Sequence, residues 1–346
     1  MTKKKKTEIA ELGEFGLIDH LTNSIKIKNK STLKGVGDDS AVLEYKNKQI
    51  VISTDLLLEG IHFDLTYTPL KHLGYKAIAV NLSDIYAMNA HPKQITVSIG
   101  LSSKMSLEAL DEFYSGIYLA CDKYDIDLIG GDTSSSLTGF TISITAIGEG
   151  EKDKITYRSG AGVNDIICTS GDFGAAYMGL QLLEREKKVF EGNSQVQPDL
   201  ASHDYLLEKI LKPEPRRDVI ELLKEIDVKP TSMIDVSDGI SSEVLHICKQ
   251  SGVGCRLFED KIPIDATTSM LAEEMGINPM VAALNGGEDY EMLFTIAQSD
   301  YDKFIKANSP VKIYAIGHIT EKSKGSYLIT NAGQEVKLSA QGWKHE

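Results

Sequence analysis

The sequence predicts a two-domain protein of the α/β (α+β) class, on three observations. Segments rich in β-branched residues alternate with segments of helical apolar recurrence. The alternation starts afresh after Gly148-Glu149-Gly150, and 346 residues exceed the roughly 100 to 200 of one domain. The boundary is placed near residue 150, giving domains 1–150 and 151–346. In the first, QIVIST (49–54), QITVSIG (94–100), IDLIG (126–130) and TISITAIGE (141–149) read as strands, and 73–88 and 107–124 as helices. The second has strands at 164–170, 233–236, 292–296 and 313–316, with helices near 174–187 and 239–250. The polar stretch 184–202 reads as an inserted surface loop.

Composition narrows the class of function. With 42% hydrophobic and 25% charged residues, and no apolar run near the roughly 20 residues of a bilayer span, the chain reads as soluble, with no membrane partner. A net charge of −13 disfavours nucleic acid and suits cations. Lys3 to Lys6 lack the apolar segment of a secretory signal and read as a solvated tail. Cys121, Cys168, Cys248 and Cys255 have no metal-ligand spacing and read as buried thiols, so a cytoplasmic location is expected.

Chemistry is concentrated in acidic residues beside glycine, serine or threonine, where short side chains can converge on a hard cation. Mg²⁺ takes oxygen ligands and is usually held by few carboxylates plus water and substrate phosphates. GVGDDSAV (35–42) offers Asp38 and Asp39, or is a plain turn. Ser53-Thr54-Asp55 follows a strand and offers three oxygen ligands, or a helix N-cap. Asn81 and Asp84 lie three apart on an otherwise apolar helix, where a buried carboxylate needs a metal, a salt bridge or a hydrogen-bonding partner. IGGDTSSS (129–136) combines glycines that admit phosphate oxygens with Asp132 for the accompanying metal; neither a Walker A loop nor a Rossmann fingerprint is present. IDVSDG (234–239) ends a strand on Asp235 and brings Ser237 and Asp238 to a helix start, where Asp238 reads equally as an N-cap. GGEDYEMLFT (286–295) suits a substrate loop or a tight turn, and His62 alone is as readily a packed or surface histidine.

Taken in order, these segments resemble the thiamine-monophosphate kinases, within the wider family that includes aminoimidazole ribonucleotide synthetase and selenophosphate synthetase. The match runs from GEFGLI (13–18) through GVGDDSAV, STDLLLEGIHF, GYKAIAVNLSDIYAMNAHP, GGDTS, YRSGA, DVSDG and GGEDYE to GW (342–343), nearly the whole chain. The resemblance implies an aminoimidazole ribonucleotide synthetase-like fold, with an N-terminal domain that forms a homodimer through its sheet. It implies transfer of phosphate from ATP to thiamine monophosphate. Several Mg²⁺ ions would be held by Asp39, Ser53, Thr54, Asp55, Asp84, Asp132, Asp235 and Asp238. It places ATP against Tyr114, Gly131, Asp132, Arg158 and Ser237, and substrate against His62, Glu288 and Trp343.

Two departures from the family pattern bear on the site. GGDTSSS (130–136) stands where GGDTTRG is common, so a basic side chain near the phosphates is either missing or supplied elsewhere, with Arg158 the candidate; and Asn89 stands where glycine is frequent. Of the sister activities, selenophosphate synthesis normally uses a reactive cysteine near the N-terminus, and none precedes Cys121. Aminoimidazole ribonucleotide synthetase signatures are not found, and a silent nucleotide- or cation-binding relative would not need every metal-type aspartate.

Overall fold

Alternating apolar residues give the first half long strands with one buried face: β3 (Lys48–Leu58), β4 (His91–Leu101) and β6 (Thr141–Glu151) bury roughly every second residue. With β1 (Thr32–Lys34), β2 (Ala41–Tyr45) and β5 (Asp127–Ser135) they form a six-stranded sheet in the order β1-β2-β3-β6-β4-β5. Only β4 and β5 pair in parallel. These elements come from a computed structural model that describes residues 32–34, 37–45, 48–102, 105–193, 195–307 and 309–340. GEFGLI, Lys3 to Lys6 and Trp343 lie outside the described residues.

The second half builds a seven-stranded sheet, in the order β13-β12-β9-β11-β7-β10-β8, from β7 (Ile166–Ser170), β8 (Ser232–Asp235), β9 (Val253–Phe258), β10 (Met292–Ile296), β11 (Ile313–Glu321), β12 (Ser326–Ile329) and β13 (Glu335–Lys337). Three of its strands, β7, β10 and β8, are short and buried along nearly their whole length, and β10 (MLFTI) is correspondingly apolar.

One helix joins the two halves. α1 (Leu70–Ala87) packs on β3, β4 and β6 of the first sheet and on β8 of the second, and α2 (Leu107–Tyr124) covers it. A helix buried nearly all round should be apolar nearly all round, and α1 is, with Lys76, Asn81 and Ser83 as buried exceptions. The main core runs from Val42, Ile78 and Ile144 in the first half to Val219, Met233 and Phe294 in the second without a break.

α1 and α2 cross so closely that glycine is required on both. A Cβ on Gly74 would lie 2.0 Å from the Phe113 carbonyl oxygen, and one on Gly116 would lie 1.9 Å from that of Lys71. α1 ends before Asn89, whose φ of 54° is the left-handed conformation that glycine adopts most readily and that asparagine tolerates. The preference for glycine at this position therefore has a backbone cause.

Three expectations are corrected. Ser53-Thr54-Asp55 does not follow a strand but sits inside β3, which continues to Leu58. The strand expected to end at Gly130 continues through Gly131 and Asp132 as β5, paired beside β4 as far as Ser135. The stretch expected to loop out from residue 184 is helical as far as Gly192: α3 (Ala175–Gly192) buries Ala175, Ala176, Met178, Leu182, Leu183 and Glu186, and of this stretch residues 195–202 are without helix. Connected to it are α4 (Asp204–Leu211), α5 (Arg217–Glu225), α6 (Ile240–Ser251), α7 (Ala266–Glu274), α8 (Pro279–Asn285) and α9 (Gln298–Lys306).

The glycine crossing makes a direct prediction. Gly116→Ala raises intrinsic helix propensity yet forces a methyl group into the α1 backbone, so net destabilisation of about 1–3 kcal/mol is expected. Urea unfolding followed by circular dichroism checks it, and a neutral or stabilising result would show that the helices separate at no cost.

Candidate active site

β3 delivers the first functional groups by its two-residue period. Ser53 and Asp55 point toward α1: the Ser53 hydroxyl donates to Asp84 Oδ2, and the backbone N–H of Asp55 donates to Asn81 Oδ1 at 3.1 Å. Thr54 points to the other face, where its hydroxyl donates to the Ile144 carbonyl at 2.9 Å. Its side chain is not brought to the site.

α1 contributes Asp84, and Ser83 beside it donates to Asp235 Oδ2 at 2.5 Å. Asp235 is the last residue of β8 in the other half. Asp39, in the turn before β2, completes the group: one carboxylate oxygen each from Asp39, Asp84 and Asp235 lies within 4.8 Å of the others. Arg158 holds Asp39 in a two-point ion pair, Nε to Oδ2 and Nη2 to Oδ1, each 2.8 Å. Its backbone N–H donates to Asp38 Oδ1 at 3.1 Å. The guanidinium is thus engaged in orienting an acid of the cluster, a different position from the phosphate contact expected of it.

Carboxylates gathered in this way raise one another's pKa. Burial, followed by the charge of Asp39, pushes Asp235 up to about 8. Burial and then Glu288 push Asp55 up to about 6. Asp84 is raised well above the usual carboxylate range by burial and then by Asp55, Asp235 and Asp39. The three acids of the cluster have one cation, Arg158, directly bonded to one of them. Such a donor set is costly without added positive charge, and it fits a hard divalent cation with oxygen ligands.

A cavity of about 670 Å³ opens from these acids and runs between the two halves. Asp55, Asp84, Asp235, Ser237 and Asp238 line it, as do His62 and Glu288. His62 sits in the turn after β3 and accepts from the Leu58 backbone N–H at 3.0 Å through Nδ1. Asp238 is not the N-cap of α6. That position is Gly239, and buried Glu243 reaches back to accept from the Asp238 N–H at 2.7 Å.

The three acids of GGEDYE separate into three roles. Glu288 faces the cavity and pairs with Lys76. Asp289 accepts from the Gly174 N–H at the start of α3, 3.1 Å to each oxygen. Glu291 is buried with Ser170, Lys209 and Arg216 around it. Only the first meets the expectation of a substrate loop.

Gly131 and Asp132 are not gathered into this site within one chain. β5 is three strand spacings from β3, about 14 Å, and Asp132 shares a cross-sheet row with Ser98, Ser143 and Leu56, the face opposite Asp55. Tyr114, on α2, packs edge-on against Phe113 with ring centres 5.7 Å apart and is not among the residues lining the cavity. Sequence reasoning passed over Lys76, Tyr67 and Glu184, which also line it, with Tyr67 donating to Glu184 at 2.7 Å. A signal for Lys76 was available: a lysine inside the apolar run of the helix, eight residues before Asp84 and so near the same face.

Family models place residues 37–149 in the AIR synthase related protein N-terminal domain and residues 166–329 in the corresponding C-terminal domain. The chain is similar to the thiamine-monophosphate kinase of Aquifex aeolicus (34% identical, covering 97% of this chain and 99% of that one). The enzyme of the same name from Bacillus subtilis is also 34% identical, over 96% and 99%. Among solved structures, AaThiL complexed with AMPPCP and TMP superposes with a TM-score of 0.83 at 32% identity, covering 99% of this chain and all of that one. Hydrogenase maturation protein HypE in complex with ATP shares the fold at 17% identity, with a TM-score of 0.69.

The crowded acids predict a stability that depends on pH and metal. The pKa values of Asp55, Asp84 and Asp235 in the fold lie above the unfolded value of about 4, so their contribution is complete below that value and is lost as pH rises through about 6 for Asp55 and about 8 for Asp235. In chelator, the thermal midpoint should fall between about pH 5 and 8, and Mg²⁺ should restore it most at the alkaline end. Asp235→Asn should flatten the profile and shrink the Mg²⁺ shift. Scanning calorimetry across pH decides; a midpoint that climbs with pH in chelator contradicts the electrostatic account.

Proposed function

The chain belongs to the thiamine-monophosphate kinase family, and on that premise we propose that it transfers the γ-phosphoryl group of ATP to the phosphate of thiamine monophosphate. The products are thiamine diphosphate and ADP, and the step is the last in making thiamine diphosphate. The observation that carries this reading is the acidic cluster opening into a cavity that His62 and Glu288 also line.

Asp39, Asp55, Asp84, Asp235 and Asp238 would hold Mg²⁺, with Ser53 as a neighbouring oxygen. Arg158 occupies two of the roughly four lone-pair sites of the Asp39 carboxylate and leaves the others available. When bound, Mg²⁺ supplies the positive charge that lets two phosphate groups approach among carboxylates. Ser237 is assigned to the nucleotide, and His62 and Glu288 to the organic acceptor. Gly131, Asp132, Tyr114 and Thr54 receive no role in the site of their own chain.

The acceptor phosphate is ionised at neutral pH, so no side chain has to remove a proton. One of its oxygens bonds to the γ-phosphorus as the bond to ADP breaks, in line and without a phosphoenzyme. The residues around it contribute position and charge, which is most of what phosphoryl transfer needs.

We assign residues 1–150 to nucleotide and metal binding with dimerisation, and 151–346 to completing the site. The six-stranded sheet ends at Glu151 and the next begins at Ile166, which supports the division. A homodimer through the first sheet is supported by its exposed face, where Leu56 is 53% accessible. Among the described residues no helix is long and apolar enough to cross a membrane, and all four cysteines are buried and unpaired, in keeping with the cytoplasm.

The test is product formation by the purified protein with ATP, Mg²⁺ and thiamine monophosphate, separated chromatographically. Equal amounts of thiamine diphosphate and ADP are expected, with none from thiamine or in chelator. Asp55→Asn should lower turnover by about a hundredfold or more. A folded, ATP-binding protein that forms no product, or a covalent phosphoprotein during turnover, would refute the reaction or its direct course.

A further inference from the structure

Lys76 is a buried lysine whose charge neither the metal cluster nor the fold requires. It lies on α1 with its side chain 5% exposed and ion-paired to Glu288. With Val80 and Asp84 it forms an i, i+4, i+8 stripe that lines one wall of the cavity. The pair adjoins the acids, because the Glu288 backbone N–H is bonded to the carbonyl of Ser237, which lies between Asp235 and Asp238.

The pair is held firmly. Glu288 has a left-handed backbone, φ 62°, and donates its N–H to the Ser237 carbonyl at 2.7 Å. Gly287 before it, at φ 71°, could carry no Cβ, which would lie 2.4 Å from that same carbonyl oxygen. The other lysine of the cavity wall, Lys187, is bonded to Asp64 at 2.6 Å, and Arg158 is bonded to Asp39. Of the lysines lining the cavity, Lys76 is the one paired with Glu288, the acid assigned to the acceptor. A buried ion pair is no better for stability than an apolar pair of similar volume, which leaves recognition as its use.

We propose that Lys76 determines specificity for the acceptor's phosphate. Its ammonium binds the phosphate monoester while Glu288 faces the cationic ring, so a zwitterionic pair in the protein meets a zwitterionic substrate. This rests on the reading of the preceding subsection.

Equilibrium dialysis of the full chain in Mg²⁺ without ATP tests it, with thiamine monophosphate and unphosphorylated thiamine as the two ligands. The wild type should prefer the monophosphate. Lys76→Met should cut that preference about ten- to hundredfold, the worth of one charge-assisted contact, while thiamine binding changes little. Lys76→Arg should keep most of it, and the double variant K76M/E288Q should not regain it. Circular dichroism checks folding, and Lys76→Gln replaces the Met variant should that one unfold. A Met variant with the wild-type preference, or a double variant that regains it, overturns the proposal, because Lys76 then only neutralises Glu288. A wild type that binds neither ligand removes the functional reading itself, and this proposal with it.

Discussion

Mutual repulsion among buried carboxylates is the constraint around which this molecule is organised. Asp39, Asp84 and Asp235 come from a turn, a helix and a strand end spread over nearly 200 residues, yet one oxygen of each falls within 4.8 Å of the others. Nothing in a three-acid cluster favours its own formation. The surrounding packing imposes it: α1 is fixed between two sheets by a core that passes from one to the other, and Asp84 rides on that helix. Ser53 and Ser83 each donate to one carboxylate, and Arg158 to a third, so every acid of the cluster has a partner.

Much of this was legible in the sequence because it depends on local periodicity. The alternation in 141–149 fixes β6, and the run 107–124 fixes α2 at the observed ends. The aspartates of GVGDDSAV, NLSD and DVSDG announce themselves by lying next to small and hydroxyl residues. What the sequence conceals is which face a residue takes and how far apart strands lie in a sheet. Thr54 and Asp55 are neighbours in the chain but point to opposite faces of β3. Asp132 looks equivalent to Asp84 in a list of motifs, yet β6 and β4 lie between its strand and β3. Strand order is a property of long-range pairing, and no local pattern carries it.

The basic residues show the same limit from the other side. A missing basic residue in GGDTSSS suggested Arg158 as its replacement, an inference from charge alone. Geometry gives Arg158 the task of orienting Asp39, with both contacts at 2.8 Å, and leaves Lys76 at the cavity wall. Lys76 escaped notice because a lysine in a helix is ordinarily a solvated one. Only the burial of α1 on all sides turns it into a group that must have a partner.

The cavity's position between the two halves has a thermodynamic consequence. Its acids are divided, with Asp55 and Asp84 from the first half and Asp235 and Asp238 from the second. These acids repel one another across the junction, and a bound cation would draw the same charges to a common centre. Any cation that binds the assembled set more tightly than either part stabilises the assembled form by mass action. The sharing of acids across the junction therefore links site formation to the packing of the halves. The repulsion among these acids would be relieved by a bound cation, so the proposed metal site and the junction of the halves depend on the same residues.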